Sequence, residues 1–124
     1  MKESIENYLE NIYMLSLERE GAVRSVDIAN KLNVSRPSVF GAIAVLKEGG
    51  YIEQQSYGDI MLTPKGVSKA KEIYAKHLAL TEFLITTLGV SEETAEADAC
   101  KIEHDLSEET TQKLLEFVKK RHGE

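Results

Sequence analysis

Residues 25–50 constrain the fold more than any other part of this chain, because their breakers leave room only for short helices around a tight turn. Ser25 offers an N-cap hydroxyl and Asp27 a negative charge in the first helical turn, where the helix dipole favours it. Ile28, Ala29 and Leu32 then share one side of a short helix, and Asn33-Val34-Ser35 makes a three-residue turn. Ser35 caps the next helix, Pro37 falls in its first turn, where a missing N–H costs nothing, and Val39, Ile43 and Leu46 face inward. Gly49-Gly50 ends it. Two β patterns follow at 51–54 and 59–62, joined by Gln55-Ser56-Tyr57-Gly58, with glycine where a positive φ is expected.

Upstream, Ile5, Tyr8, Leu9, Ile12 and Leu15 recur at three and four residues, so residues 3–18 read as a helix that stops at Glu18-Arg19-Glu20-Gly21. Helix, short helix, turn, helix and hairpin in that order predict a winged helix-turn-helix over residues 1–66. The second helix of such a unit fits the major groove. On its outward side lie Ser35, Arg36, Ser38, Phe40 and Gly41. Arg36 reaches phosphate or a guanine edge, Ser35 and Ser38 suit phosphate, and Pro37 suits a thymine methyl. Phe40 either packs on thymine methyls or covers the wing, and Tyr57 in the turn of the wing is a further expected DNA contact.

Residues 67–124 are expected to form a helical domain, so the fold class is mainly α with a small β-hairpin wing. Thr63 caps a helix that starts at Pro64 and runs to about 87; Ser91 caps a helix over 92–104; Ser107 caps a last helix carrying Leu114, Leu115 and Val118.

Net charge is −6, which at first argues against a polyanionic partner. The acidity is unevenly spread, however. Residues 24–65 carry five Lys/Arg against four Asp/Glu, whereas residues 66–124 carry eight against twelve. No apolar run approaches the roughly 20 residues that cross a bilayer, and Met1-Lys2-Glu3-Ser4-Ile5-Glu6 is not a signal peptide, so a cytoplasmic protein with no membrane partner is expected.

The single cysteine, Cys100, cannot close an internal disulfide and is a buried hydrophobe, a reactive thiol or a metal ligand. Cys100, Glu103 and His104 stand at i, i+3 and i+4, so on a helix a thiolate, a carboxylate and an imidazole point to one side. His77 lies among Ile73, Leu78, Leu80 and Phe83, an apolar context in which an unpartnered imidazole is costly. Glu10, with Asn7 three residues earlier, sits beside the apolar stripe of the first helix. Carboxylate, imidazole and amide donors suit Mn²⁺ and Fe²⁺, and a lone thiolate tilts the set toward Fe²⁺, Co²⁺ or Zn²⁺. No nucleophile, general base or oxyanion pattern accompanies these donors, so an enzyme is not expected.

The chain resembles the iron-dependent repressor family, which includes the diphtheria toxin repressor and the manganese transport regulator. The resemblance runs from Glu6-Asn7-Tyr8-Leu9-Glu10-Asn11-Ile12-Tyr13 through Leu62-Thr63-Pro64-Lys65-Gly66 and Lys76-His77 to residues 99–107, Ala-Cys-Lys-Ile-Glu-His-Asp-Leu-Ser. It implies a homodimer that binds a palindromic operator in double-stranded DNA when loaded with Fe²⁺ or Mn²⁺, with Co²⁺, Ni²⁺ or Zn²⁺ able to substitute in vitro. It also implies a short two-domain form without the SH3-like domain of longer members. The primary site would take Asn7, Cys100, Glu103 and His104, and a second ion would use Glu10, His77 and a shared Glu103. Asn7 stands where the family has Met or Asp; Cys100 follows the iron-responsive branch and Glu10 the manganese branch. Thr81 and Glu96 replace the carboxylate and histidine that iron-branch members use for an ancillary site. A regulator that senses a non-metal ligand or a protein partner is the alternative, and it predicts no metal uptake.

Overall fold

The computed structural model describes residues 1–20, 22–55 and 58–122, so the helix-stopping Gly21 and the wing residues Ser56 and Tyr57 lie outside the described residues. Along the chain run α1 (Glu3–Glu18), α2 (Ser25–Leu32), α3 (Arg36–Glu48), β1 (Ile52–Gln54), β2 (Ile60–Leu62), α4 (Pro64–Glu82), α5 (Glu92–Ile102) and α6 (Glu108–Arg121). They group into two compact units, Met1–Lys71 and Glu72–Glu124, and α4 crosses the division.

In the first unit the periodic positions of α1 bury Leu9, Ile12 and Leu15, while Ile5 and Tyr8 are half-buried. Ile28 of α2 and Val39, Ala42, Ile43 and Leu46 of α3 complete a dry core with Val23, Ile52 and Ile60. Each such Leu or Ile contributes about 1.5–3 kcal/mol by leaving water. The start of α2 differs from the sequence reading. Its N-cap is Arg24 rather than Ser25, and the Asp27 carboxylate accepts the Arg24 backbone N–H at 3.0 Å. A carboxylate at the third helical position thus replaces the expected serine cap. The tight turn comes from Asn33, which closes α2 in the left-handed conformation at φ 54°. Ser35 then accepts the Ser38 N–H at 3.3 Å, opening α3 as expected.

The wing is a two-stranded antiparallel hairpin in which Ile52 pairs with Leu62 and Gln54 with Ile60. Ile60 also donates its N–H to the Val23 carbonyl at 2.7 Å, tying the hairpin to the segment before α2. The Thr63-Pro64-Lys65-Gly66 sequence fastens the other end. Thr63 Oγ1 donates to the Gly50 carbonyl at 2.6 Å and accepts the Gly66 N–H at 3.0 Å, so one hydroxyl caps α4 and holds the loop after α3. Lys65 Nζ donates to the Gly49 carbonyl at 2.7 Å and lies 4.5 Å from the centre of the Tyr51 ring.

The second unit buries Ile73, Ala79 and Leu80 of α4 with Ala95 and Ala99 of α5, and Phe83 meets Phe117 of α6 edge-to-face at 5.7 Å. Ser91 and Ser107 cap α5 and α6 through the Thr94 and Thr110 N–H groups, as the sequence indicates. Two boundaries differ. The α-helical ladder of α4 stops at Glu82 and continues as a π-helical turn over Phe83–Thr87, where the Leu88 N–H reaches back five residues to the Phe83 carbonyl. Helix α5 ends at Ile102, leaving Glu103 as its C-cap and His104 in the following turn. No helix among the described residues is long and apolar enough to cross a membrane.

Gly66 is required by a close approach, since a Cβ there would lie 2.0 Å from the Tyr51 carbonyl oxygen. Relieving that clash means moving backbone on both sides, so Gly66→Ala should lower unfolding stability by about 1–3 kcal/mol. Urea denaturation at fixed pH checks it; a midpoint equal to wild type would contradict the packing of α4 against the hairpin.

Candidate metal centre

Glu96, Cys100 and Glu103 follow one another at four and three residues, so α5 and its C-cap present all three donors on one side. On the intervening face Ala95 and Ala99 are fully buried, and such small side chains let α5 approach His77 of α4 closely. His77 is 5% exposed and stacks on Tyr74 at 6.1 Å. Its Nδ1 lies 2.8 Å from Glu103 Oε2 and its Nε2 lies 2.7 Å from Glu96 Oε1. Cys100 Sγ stands 3.9 Å from the same Nδ1. Glu103 is 1% exposed, and its Oε1 lies 3.2 Å from His104 Nε2, on a side chain that is itself buried.

The electrostatics follow from that geometry. The hydrogen bond to Glu103 pushes the His77 pKa up to about 9, against the cost of burial and with further help from the charges of Glu103 and Glu96. Below that pH an imidazolium donates from both ring nitrogens, one N–H to each carboxylate. A cation is therefore what this arrangement stabilises.

A divalent ion fits the same donors. Ligand atoms at about 2.0–2.3 Å from a common ion lie no more than about 4.6 Å apart. One donor atom each from His77, Glu96 and Cys100 lie within 4.8 Å of one another, slightly beyond that limit, so an ion would draw them together by a few tenths of an ångström. Thiolate, imidazole and carboxylate are all ligands for first-row transition metals. Of the residues singled out by sequence, His77, Cys100, Glu103 and His104 are brought together in the second unit. Glu96 joins them although sequence reading set it aside as a replacement for an ancillary histidine; its place four residues before Cys100 was the available signal. Cys100 is solvent-exposed, so its reading as a buried hydrophobe fails.

Asn7 and Glu10 belong to α1 in the first unit. Glu10 is buried, whereas Asn7 is exposed and its Oδ1 accepts the Asn11 side-chain amide at 3.2 Å. The expected DNA-reading residues Arg36, Pro37, Ser38 and Phe40 are all exposed on α3. Phe40 is 58% exposed and so does not cover the wing. The Ser35 hydroxyl is engaged in capping α3 and bonds Ser38 Oγ at 3.0 Å.

Comparison with known proteins gives one consistent result. The family model described as iron dependent repressor, N-terminal DNA binding domain, matches residues 1–60, and that for the metal binding and dimerisation domain matches residues 63–122. An uncharacterized HTH-type transcriptional regulator of Methanocaldococcus jannaschii is 38% identical over 120 residues, 97% of this chain and 96% of its own length. The transcriptional regulator MntR of Salmonella typhimurium is 38% identical over 122 residues, 98% of this chain and 76% of the relative. Among solved structures, the manganese regulator SloR aligns with a TM-score of 0.79 at 30% identity over 93% of this chain. IdeR of T. acidophilum aligns with a TM-score of 0.77 at 33% identity over 96%. The chain spans about half the length of these two solved proteins, 53% and 54%.

The raised His77 pKa has a measurable consequence in metal-stripped protein. A proton held more tightly by the folded chain contributes stability that is complete below the unfolded value of 6.5 and is lost as pH rises through about 9. Glu103→Gln removes the largest cause and should bring the His77 titration down toward its ordinary range. Histidine NMR titrations with EDTA present, paired with urea melts at about pH 6 and about pH 9.5, read both effects. A wild-type His77 midpoint at its ordinary value would refute the arrangement.

Proposed function

The chain belongs to the iron-dependent repressor family, and on that basis we propose that it is a cytoplasmic, homodimeric repressor that binds palindromic operator DNA in response to Fe²⁺ or Mn²⁺. Its family consists of metal-dependent transcriptional regulators rather than enzymes. One observation carries the reading for this chain's own residues: the winged helix is followed by a unit whose buried Glu103 carboxylate lies against His77 and His104, with the Cys100 thiol beside His77.

The primary donors are Cys100, Glu103 and His104 with Asn7 of α1, and Glu10, His77 and the shared Glu103 form a second set. When bound, a divalent ion would supply two positive charges to these donors. Glu103 holds the imidazoles in place, and Cys100 contributes a thiolate that favours Fe²⁺ over Mn²⁺. Asn7 is neutral where a carboxylate would be a stronger donor for a hard cation. Arg36 and Ser38 at the start of α3 supply phosphate or base contacts, with Pro37 and Phe40 against thymine methyls and sugars and Tyr57 from the wing. In a twofold dimer the two α3 helices read half-sites about one helical turn of DNA apart, or a multiple of it.

The nearly even charge of residues 24–65 gives little nonspecific attraction to DNA, so ordering by metal has room to dominate. Allosteric couplings of this kind usually change affinity by about 5–150-fold. Fluorescence anisotropy on the upstream DNA of the protein's own gene, with Mn²⁺ or anaerobic Fe²⁺ against chelator, should show a change of that size. Glu103→Ala should abolish it. Equal operator affinity with and without metal would overturn the metal-sensing reading in favour of a non-metal ligand or protein partner.

A further inference from the structure

We propose that Gly41 is a specificity-determining residue of α3, and that its missing side chain lets the reading helix settle against the C5-methyl edge of a thymine in the operator. The proposal rests on the operator-binding reading above and deepens it by naming the base group that one position selects.

Neither usual reason for a glycine holds at position 41. Among the described residues the glycines with positive φ are Gly50, Gly58 and Gly89, so Gly41 keeps the ordinary backbone of the helix it sits in. A Cβ built on it would meet nothing within 4 Å, whereas one on Gly66 would strike the Tyr51 carbonyl. Gly41 opens instead onto a groove of about 570 Å³ that it lines with Ile5 and Tyr8 of α1. In a helix interior glycine is disfavoured relative to alanine by about fivefold in the folding equilibrium. The first unit therefore carries a cost at Gly41 that no contact within it explains.

The explanation lies on the side of α3 assigned to DNA. Gly41 follows Pro37 by one helical turn and stands beside Phe40, which is 58% exposed. Ala44 and Val45 continue the same side one turn later, and both are exposed. Pro37, Phe40, Ala44 and Val45 offer no hydrogen-bonding side chain, so the surface around Gly41 is apolar. Of the groups that base pairs display in the major groove, the thymine C5-methyl is the apolar one, and it is the group such a surface favours. A side chain at position 41 would stand in the line of approach and hold α3 off the base edges. With only a hydrogen there, Phe40 and the helix backbone close on the methyl together. Residues 24–65 carry five Lys/Arg against four Asp/Glu, so phosphate attraction does not make up for a lost base contact.

Selection of half-sites from a random-sequence duplex library tests this, using the full chain loaded with Mn²⁺ or anaerobic Fe²⁺ and comparing wild type with Gly41→Ala. The variant should unfold at a higher urea concentration than wild type, because alanine suits an open helical position. It should nevertheless bind the wild-type half-site about 5–150-fold more weakly, the range for one mismatched base pair. Its affinity for random-sequence DNA should be unchanged. Replacing thymine by deoxyuridine at one half-site position removes only the methyl; it should weaken wild type by a similar factor and leave Gly41→Ala unaffected. Equal affinity of both proteins for the half-site, or no deoxyuridine position that separates them, overturns the assignment. A lower urea midpoint in Gly41→Ala also overturns it, since the glycine would then serve the fold. Repeating the selection with chelator keeps the readings apart. A half-site enriched equally without metal overturns metal sensing alone, whereas metal-dependent enrichment of one and the same half-site by both proteins overturns this proposal alone. A wild type that enriches no half-site overturns operator binding and this proposal with it.

Discussion

Glu103 is 1% exposed, and the arrangement of the second unit depends on how its carboxylate is satisfied. An isolated buried charge is among the most expensive features a fold can carry, and it persists only with opposite charge and hydrogen-bond donors in contact. His77 hydrogen-bonds one oxygen, and His104 Nε2 lies 3.2 Å from the other. The raised pKa of His77 is the same fact seen from the partner, since the proton stays because the carboxylate needs it. Protons and divalent ions are thus alternative answers to one electrostatic demand. A divalent ion held at His77 Nδ1 would have to displace a proton that Glu103 holds well above neutral pH.

The first unit is governed by backbone contacts more than by charge. Gly66 lets the start of α4 press against the Tyr51 carbonyl, Thr63 bonds Gly50, and Lys65 bonds Gly49. These contacts converge on the loop between α3 and the hairpin, so the reading helix and the wing are held to the same point. That rigidity matters because the surface carries little net positive charge. Where phosphate attraction is weak, affinity must come from base contacts, and base contacts tolerate little positional error.

Most of the fold was legible because its signals are local. Ser35, Ser91 and Ser107 cap the helices expected of them, Asn33 takes the left-handed turn, and the apolar spacing of α1 and α3 marks the residues that are buried. The misses have local causes too. Asp27 caps α2 in place of Ser25 by reaching back to the Arg24 N–H, a choice that two adjacent polar residues leave undecided. The π-helical turn at Phe83–Thr87 has no residue signature comparable to proline or glycine. In the site, the i, i+3, i+4 spacing of Cys100, Glu103 and His104 was readable, but Glu96 was not. A glutamate one turn before a cysteine is common on solvated helix faces, and only the position of His77 on another helix distinguishes this one.

Helix α5 carries its charges partly in the favourable order and partly against it. Glu92 and Glu93 lie in its first turn, where the helix dipole is positive, and Lys101 lies in its last. Glu103 breaks that order, because it is the C-cap and places a buried anion at the negative end of the dipole. A helix selected only for stability would carry a cation or a neutral residue there. The local rule is broken at the point where the negative end of the helix dipole and the Glu103 carboxylate coincide, and that coincidence favours cations over neutral ligands. His77 supplies the compensating hydrogen bond, through a nitrogen that can hold a proton. The electrostatic misfit at the end of α5 therefore favours a cation at this point of the unit.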